Sequence, residues 1–338
     1  MKNKTLSYYL QNFFLNYLSF EKGVSKNTIE SYSNCFTLFL LFFDSKFGIN
    51  PDKLKIENFT KENILSFLDW LENERKCKVS TRNVRLGAIH SFAKFMQYKD
   101  PTHLDQWGQV LSICVKKFNT PFLVYMSIEA ISELLKLPDR STKQGLKELT
   151  MLACMYETAG RVQEICDLTP SRVHLQYPMT IRIFGKGAKE RIVPISEEVG
   201  NLIGDYLNKN NLDKPYNNEA PLFPNRQKNK ITRAGISYIL NKHLIQLKKI
   251  HPELVPNNFT NHGLRHSKAM HLLQGGVNIV YIRDILGHTS VLTTEIYIRA
   301  DSKLKRKALE STYTSILPNT QPKWENNPEL LAWLKNLS

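Results

Sequence analysis

Apolar residues recur at three- and four-residue steps near the start of the chain, in LSYYLQNFFLNYLSFEK, and that spacing predicts an amphipathic helix. A second helix is expected over NTIESYSNCFTLFLLFF, where Ser25 offers an N-cap and the apolar face is broad. FTKENILSFLDWLENERK reads as a third, with Thr60 as its cap and Glu62 in its first turn. STRNVRLGAIHSFAKFMQYK reads as a fourth, starting at Ser80 and carrying Arg82, Arg85 and Lys94 beside an apolar side. Asn50-Pro51 and Asp100-Pro101 interrupt the pattern, so residues 1–105 are expected to form one compact helical domain.

Over residues 106–125 the pattern loosens and reads as a linker, before a fresh helix opens at Ser127 in SIEAISELLKL. Residues 126–315 are expected to form a second domain. Its helical opening, LKELTMLACMYETAG, gives way to the short β-branched runs RVHLQ, MTIRIFG and RIVPIS, with GKGA as a tight turn between the last two. After Ser196 the helical period returns. Residues 316–338 read as a tail: PNTQP breaks the chain, then Asn327 and Pro328 open a short helix with Leu330, Leu334 and Leu337 on one face. That much apolar surface on so short a helix is expected to dock, on its own domain or on a neighbouring subunit. The fold class expected is mainly α, a helical N-terminal domain followed by a mostly helical one with a small antiparallel β-sheet.

Charge adds a partner to this outline. Lys and Arg total 46 against 31 Asp and Glu, a net charge of 46 − 31 = +15. An excess of that size favours a polyanion, because neutralised phosphates release their counterions. A ribosome-associated or simply basic enzyme would share it. Lys26, Asn27 and Thr28 near the start of the second helix, and Thr81, Arg82 and Arg85 near the start of the fourth, are expected as a set to reach a DNA backbone or groove. Singly, each is an ordinary solvated position. The 5 cysteines form no CxxC pair and are odd in number, which fits reduced thiols better than disulfides or a zinc site. CFTLFLLFF is too short to span a bilayer, and the first residues lack the apolar core of a secretory leader. A soluble cytoplasmic protein, away from any membrane, is expected.

The candidate chemistry lies in the last third. His262, Arg265 and His266 stand in NHGLRHSKAMHLL, His288 in ILGHTS, and Tyr297 in TTEIYIRAD, nine residues beyond His288. Cationic and hydrogen-donating groups of these kinds could hold a pentacoordinate phosphate while a phenol oxygen attacks it. His262 and Arg265, three apart on a helix start, face the same side, whereas His266 is expected to point elsewhere as a structural partner. Upstream, Arg161 in TAGRVQEICDL precedes Glu164 by three residues, and Lys186 in FGKGAKERIVPI follows Arg161 by 25. Taken singly, each residue has a structural use: a surface ion pair for Arg161, a solvated hairpin tip for Lys186, a turn for His288, a core aromatic for Tyr297.

In this order and spacing the chain resembles the tyrosine recombinase (phage integrase) family, from the N-terminal helical bundle to about Asp301. Asn261 stands where a proline is frequent and Ser267 where a threonine is common, and neither change removes a functional group. The resemblance implies that residues 1–105 are a SAM-like domain binding the DNA core site and that residues 126–315 are catalytic. Arg161 and Arg265 would clamp the non-bridging phosphate oxygens, suited to it by a planar guanidinium fork. Glu164 would support the site indirectly, and His262 and His288 would donate to the phosphate or exchange protons. Tyr297 would be the nucleophile, with Tyr281 and Tyr313 lacking the Gly-His spacing. It would form a 3′-phosphotyrosyl bond while Lys186 protonates the departing 5′ oxygen, and two such exchanges would pass through a Holliday junction, with no cofactor and no metal. The partners implied are double-stranded DNA with inverted-repeat-like half-sites, three further copies in a homotetramer, and an accessory DNA-bending protein. A type IB topoisomerase and a catalytically idle DNA-binding regulator share parts of this pattern. Within the recombinases, a Xer-like resolvase and the integrase or transposase of a mobile element stand side by side.

Overall fold

The computed structural model describes residues 5–118, 123–185, 189–300 and 334–336. The chain divides into two units, Met1–Pro121 and Phe122–Ser338. In the first unit, α1 (Leu6–Asn12) runs on as π-helical turns to Glu21, and α2 spans Lys26–Phe47. Ser25 caps α2, its hydroxyl accepting from the Thr28 amide at 3.4 Å, and Gly48 ends it in the left-handed conformation. Helix α3 (Lys61–Asn73) is capped by Thr60 through the Asn63 amide at 3.2 Å. The fourth helix, α4 (Val79–Lys99), begins one residue before the expected Ser80, with Lys78 at the cap position and no side-chain cap bond. Asn50-Pro51 and Asp100-Pro101 both open short 3-10 turns, where proline's missing amide costs nothing. The bundle closes on an aromatic core in which Phe13 meets Phe92 edge-on at 5.2 Å and Phe39 meets Phe67 likewise at 5.1 Å.

One expectation fails here. Residues 106–111, read as the start of the linker, belong to a fifth helix, α5 (Leu104–Leu111), whose Trp107 and Val110 are buried in the first unit's core. Its apolar residues, Leu104, Trp107, Val110 and Leu111, cover only two turns, and so short a helix leaves little trace in a pattern also broken by Pro101 and Gly108.

The second unit opens with α6 (Ile128–Lys136), capped by Ser127, and α7 (Lys143–Glu157), capped by Thr142. Buried along nearly its whole length, α7 is the spine of the unit. Glu148 on it is 3% exposed and accepts from Gln144, Lys242 and His243, at 2.8, 2.8 and 2.7 Å. Those bonds tie α7 to α10 (Arg233–Ile250), because a buried carboxylate is tolerated only when its lone pairs are satisfied. After α8 (Val162–Cys166) come β1 (Val173–His174), β2 (Thr180–Phe184) and β3 (Glu190–Pro194), an antiparallel sheet in sequence order with Ile181 opposite Val193. Ile181, Ile183 and Val193 face the core. Then follow α9 (Glu197–Lys209), α10, α11 (Asn261–Gln274), α12 (Ile279–Leu286) and α13 (Glu295–Ala300). The fold is mainly α with one small antiparallel sheet, as the alternation of periods predicted. Lys186 and the expected tail, apart from residues 334–336, lie outside the described residues, Asn327 and Pro328 among them. Among the described residues no helix is long and apolar enough to cross a membrane.

Candidate active site

Helix α7 ends at Glu157, and the chain turns back through Thr158, Ala159 and Gly160 before α8 begins. Ala159 holds φ at 47°, a left-handed conformation that an alanine enters only when its surroundings compel it. A Cβ on Gly160 would meet Ile165 Cδ1 at 2.8 Å, so a side chain there would have to push the buried Ile165 aside. This tight corner makes Arg161 the N-cap residue of α8, its side chain at the rim. The Arg161 amide donates to Glu164 Oε2 at 2.7 Å, and Nη1 donates to Oε1 at 2.8 Å. The pair is therefore real, but it is not the exposed ion pair of an ordinary helix start: the Glu164 side chain is 5% exposed.

What buries Glu164 is a residue that the motif reading passed over. Arg191 on β3 sets its guanidinium against the same carboxylate, Nη2 at 2.6 Å from Oε2 and Nη1 at 3.1 Å from Oε1. Its Nε donates to the Ile285 carbonyl at 2.8 Å. One side chain thus ties three pieces together: the hairpin, the Arg161 turn and the end of α12. The strand alternation held the signal, since Arg191 shares the inward face with Val193, where a charge needs a partner. Burial raises the Glu164 carboxyl, but the Arg191 and Arg161 contacts outweigh it and hold the group below its ordinary range.

Gly287 caps α12 with φ at 63°, and its left-handed turn redirects the chain towards His288. Glycine is required twice over, because an added Cβ would also stand 3.0 Å from Arg191 Nη1. His288 is held through Nδ1 by the buried Thr294 hydroxyl at 3.0 Å. Burial, then the charges of Arg265 and Arg161, push its imidazole down to about 4.

Arg265 lies 1% exposed beneath this rim. It donates from Nη1 to the Ala159 carbonyl at 2.7 Å and from Nη2 to the Leu286 carbonyl at 2.6 Å, joining the two turns that carry Arg161 and His288. Its buried Nε has no hydrogen-bond partner among the described residues. Burial and the nearby Arg161 lower the guanidinium to about 10, so it stays charged at neutral pH. The same helix, α11, presents His262 on its exposed side. Partial desolvation of its ring, then Arg265 and Arg161, lower its pKa. Ser267 occupies a place the motif reading noted only as a departure. It is fully buried, donating to the Gly263 carbonyl at 2.8 Å and accepting from the Met126 amide at 2.9 Å.

His266 corrects an expectation. It does not point away: its Nδ1 lies 3.0 Å from the Tyr297 hydroxyl, and its ring meets that of His262 at 4.3 Å. Positions 262, 265 and 266 are spaced i, i+3 and i+4, so one helical stripe holds all three, and only the i+3 pair had been considered. Tyr297 is 1% exposed among Ala159, Met270, Ile282 and Leu286, and burial raises its phenol, with Arg265 and Arg161 pulling the other way. A cleft of about 460 Å³ opens at the Arg161 and His288 turns, lined by Arg161, Gly185, Lys189, Arg191, Gly287 and His288. Arg161 bonds Glu164, His266 bonds Tyr297 and meets the ring of His262, and Arg265 and His288 feel the charge of Arg161, so the six belong to one neighbourhood.

In the first unit the expected DNA-contact residues divide. Lys26 and Asn27 are exposed, and Thr28 and Thr81 are half-buried. Arg82 is 3% exposed, its Nη1 donating to Asn83 Oδ1 at 3.1 Å and to the Cys114 carbonyl at 3.4 Å. Arg85 donates to the Ser31 carbonyl at 2.7 Å and braces α4 on α2. Arg82 is thus corrected from a DNA ligand to an internal brace, because the turn after α5 brings carbonyls within its reach.

The sequence of residues 125–303 matches the model of the phage integrase family, and residues 10–101 match that of the phage integrase N-terminal SAM-like domain. The chain belongs to the phage integrase family. As a member it is a tyrosine-type DNA recombinase, an enzyme that cleaves and rejoins DNA. A Sinorhizobium fredii protein that carries an integrase/recombinase name, y4rC, is 33% identical over 99% of both chains. The tyrosine recombinase XerD of Oceanobacillus iheyensis is 30% identical over 91% of this chain and 98% of its own. Among solved structures, the Tn1549 transposon integrase in complex with a circular intermediate DNA superposes with a TM-score of 0.68 at 15% identity, covering 89% of this chain and 98% of that one. The XerH site-specific recombinase bound to its palindromic difH substrate gives 0.65 at 20% identity over 83% and 79%. These two likenesses bear on the fold.

Proposed function

We propose that the chain is a two-domain, Xer-like site-specific recombinase that cuts each strand with Tyr297 and rejoins it through a 3′-phosphotyrosine linkage and a Holliday junction. The observation that carries this reading is the direct bond between the Tyr297 hydroxyl and a histidine of the stripe that also holds Arg265. A phenol is a poor nucleophile near neutrality, and it needs a proton acceptor and a target whose charge is neutralised. Arg161 stands at the cleft with its side chain 37% exposed, and the N–H groups it does not spend on Glu164 and the Gly287 carbonyl are open to a phosphate oxygen. Arg265 joins it once DNA parts the carbonyl contacts that now occupy its guanidinium. His262 and His288 donate to the same phosphate, aimed at the charge that develops as phosphorus becomes pentacoordinate. Lys186 protonates the leaving 5′ oxygen. Glu164 and Arg191 hold Arg161 in place.

The partner in this reading is double-stranded DNA with two inverted half-sites, bound by four copies of the chain in the cytoplasm, with an accessory DNA-bending protein setting the order of exchange. Lys26, Asn27 and Thr28, with Thr81, approach the core site from the first unit. Incubating the purified chain with a nicked duplex from the flanks of its own gene, in the presence of a chelator, tests the mechanism. A covalent protein–DNA band that disappears in Tyr297→Phe is expected. A band that persists in the variant would assign the nucleophile to another tyrosine.

A further inference from the structure

The reading above leaves one question of chemistry open at Tyr297: which group takes the phenolic proton. We propose that His266, through Nδ1, is the general base that accepts it, and that His262 is not. This rests on Tyr297 being the nucleophile, and it adds a catalytic residue in direct contact with a reacting atom.

Geometry carries the assignment. The only hydrogen-bond partner of the Tyr297 hydroxyl among the described contacts is His266 Nδ1, at 3.0 Å. His262 lies one helical turn earlier and meets the ring of His266, not the phenol. Tyr297 is 1% exposed, which shields its hydroxyl from bulk solvent and favours as acceptor the group already bonded to it. For the phenol to donate, Nδ1 must carry a free lone pair, which places the ring proton on Nε2. The groups facing His266 favour that neutral form. His262 and Arg265 on α11 and His288 after α12 are cationic or potentially so, Tyr297 on α13 is neutral, and burial with these charges pushes His266 down to about 4.

In cleavage the Tyr297 O–H bond breaks and its proton passes to Nδ1 while the oxygen forms a bond to phosphorus. The P–O5′ bond breaks in the same step, and the departing oxygen is protonated by Lys186. Rejoining runs the sequence backwards, with the His266 imidazolium returning the proton to the phenolate as it leaves. A scissile phosphate beside Arg161 and Arg265 brings negative charge, offsetting the cations that depress His266. The base therefore gains strength when the substrate is in place, and in its absence the phenol stays protonated and unreactive.

The test compares single-turnover formation of the covalent band on the nicked duplex for the full chain and for His266→Gln, His266→Ala, His262→Ala and Tyr297→Phe, across a pH series. Gln keeps an acceptor for the phenol but no useful basicity. Cleavage by His266→Gln is expected to fall on the order of 10²-fold at neutral pH. That deficit should shrink as pH rises and hydroxide replaces the lost base, and added imidazole should restore His266→Ala. Gel-shift binding of the duplex reports that each variant still folds and engages DNA. A deficit equal at every pH and untouched by imidazole would overturn the proposal and leave His266 a positioning residue. So would near-normal cleavage by His266→Gln alongside a pH-dependent defect in His262→Ala. A band that survives Tyr297→Phe would instead bring down the nucleophile assignment, which the same gel distinguishes.

Discussion

At Glu164 two arginines and one carboxylate decide how the site is held. Because its folded pKa lies below the ordinary 4.5, Glu164 stabilises the fold at every pH above that value. Its contribution is lost as pH falls through the lowered folded pKa. The melting temperatures of wild type and Glu164→Gln should therefore differ by a constant amount above about pH 5 and converge in acid. A gap that widens in acid would refute this account. Arg191 is the larger stake. Its side chain is 9% exposed against a carboxylate 5% exposed, and removing one partner of so buried a pair strands the other. Arg191→Ala should cost about 3 kcal/mol in denaturant titration. It should also depress cleavage, because Glu164 can then no longer hold Arg161 rigidly. Arg191→Lys keeps the charge but loses the fork and should recover only part of either loss.

Elements place these residues with a precision that no single contact supplies. The corner at Ala159 and Gly160, the β2–β3 hairpin and the Gly287 cap are far apart along the chain, and Arg265 and Arg191 bolt them together through main-chain carbonyls. Helix α5 performs a similar task in the first unit, closing the aromatic core with Trp107 against Phe59 and Phe92, at 6.1 and 6.0 Å between ring centroids. Trp107→Ala should destabilise that unit by about 3–5 kcal/mol, since a large cavity opens in a core already closely packed. Intrinsic tryptophan fluorescence and circular dichroism during urea titration would measure it. A loss below about 1 kcal/mol would mean α5 is the peripheral linker its loose pattern suggested.

Across the whole molecule, a net charge of +15 makes DNA binding an electrolyte problem before it is a matter of sequence. Affinity should drop on the order of 10³-fold between about 50 and 200 mM salt, as counterions return to the phosphates. Lys26→Ala, which removes an exposed charge, should weaken binding to all sequences and lower the slope of log affinity against log salt by about one. Arg82→Ala should leave that slope unchanged and lower stability instead, because its guanidinium is spent on Asn83 and Cys114. Filter binding at a series of salt concentrations separates the two.

Local pattern determined much of this protein. Period and capping residues set α2, α3 and α6, β-branched runs set the three strands, and a three-residue step placed His262 and Arg265 together on α11. Each is a property of residues close in sequence, where backbone propensity and helix or strand geometry act alone. Only the tertiary structure decided that Arg82 faces inward, that α5 belongs to the first core, that Arg191 grips Glu164 and that His266 touches Tyr297. Those outcomes depend on partners 27, 31 or 32 residues away. Which of several equally spaced polar side chains finds a distant carbonyl, carboxylate or phenol is settled by the packing of whole helices, and that packing leaves no period in the chain.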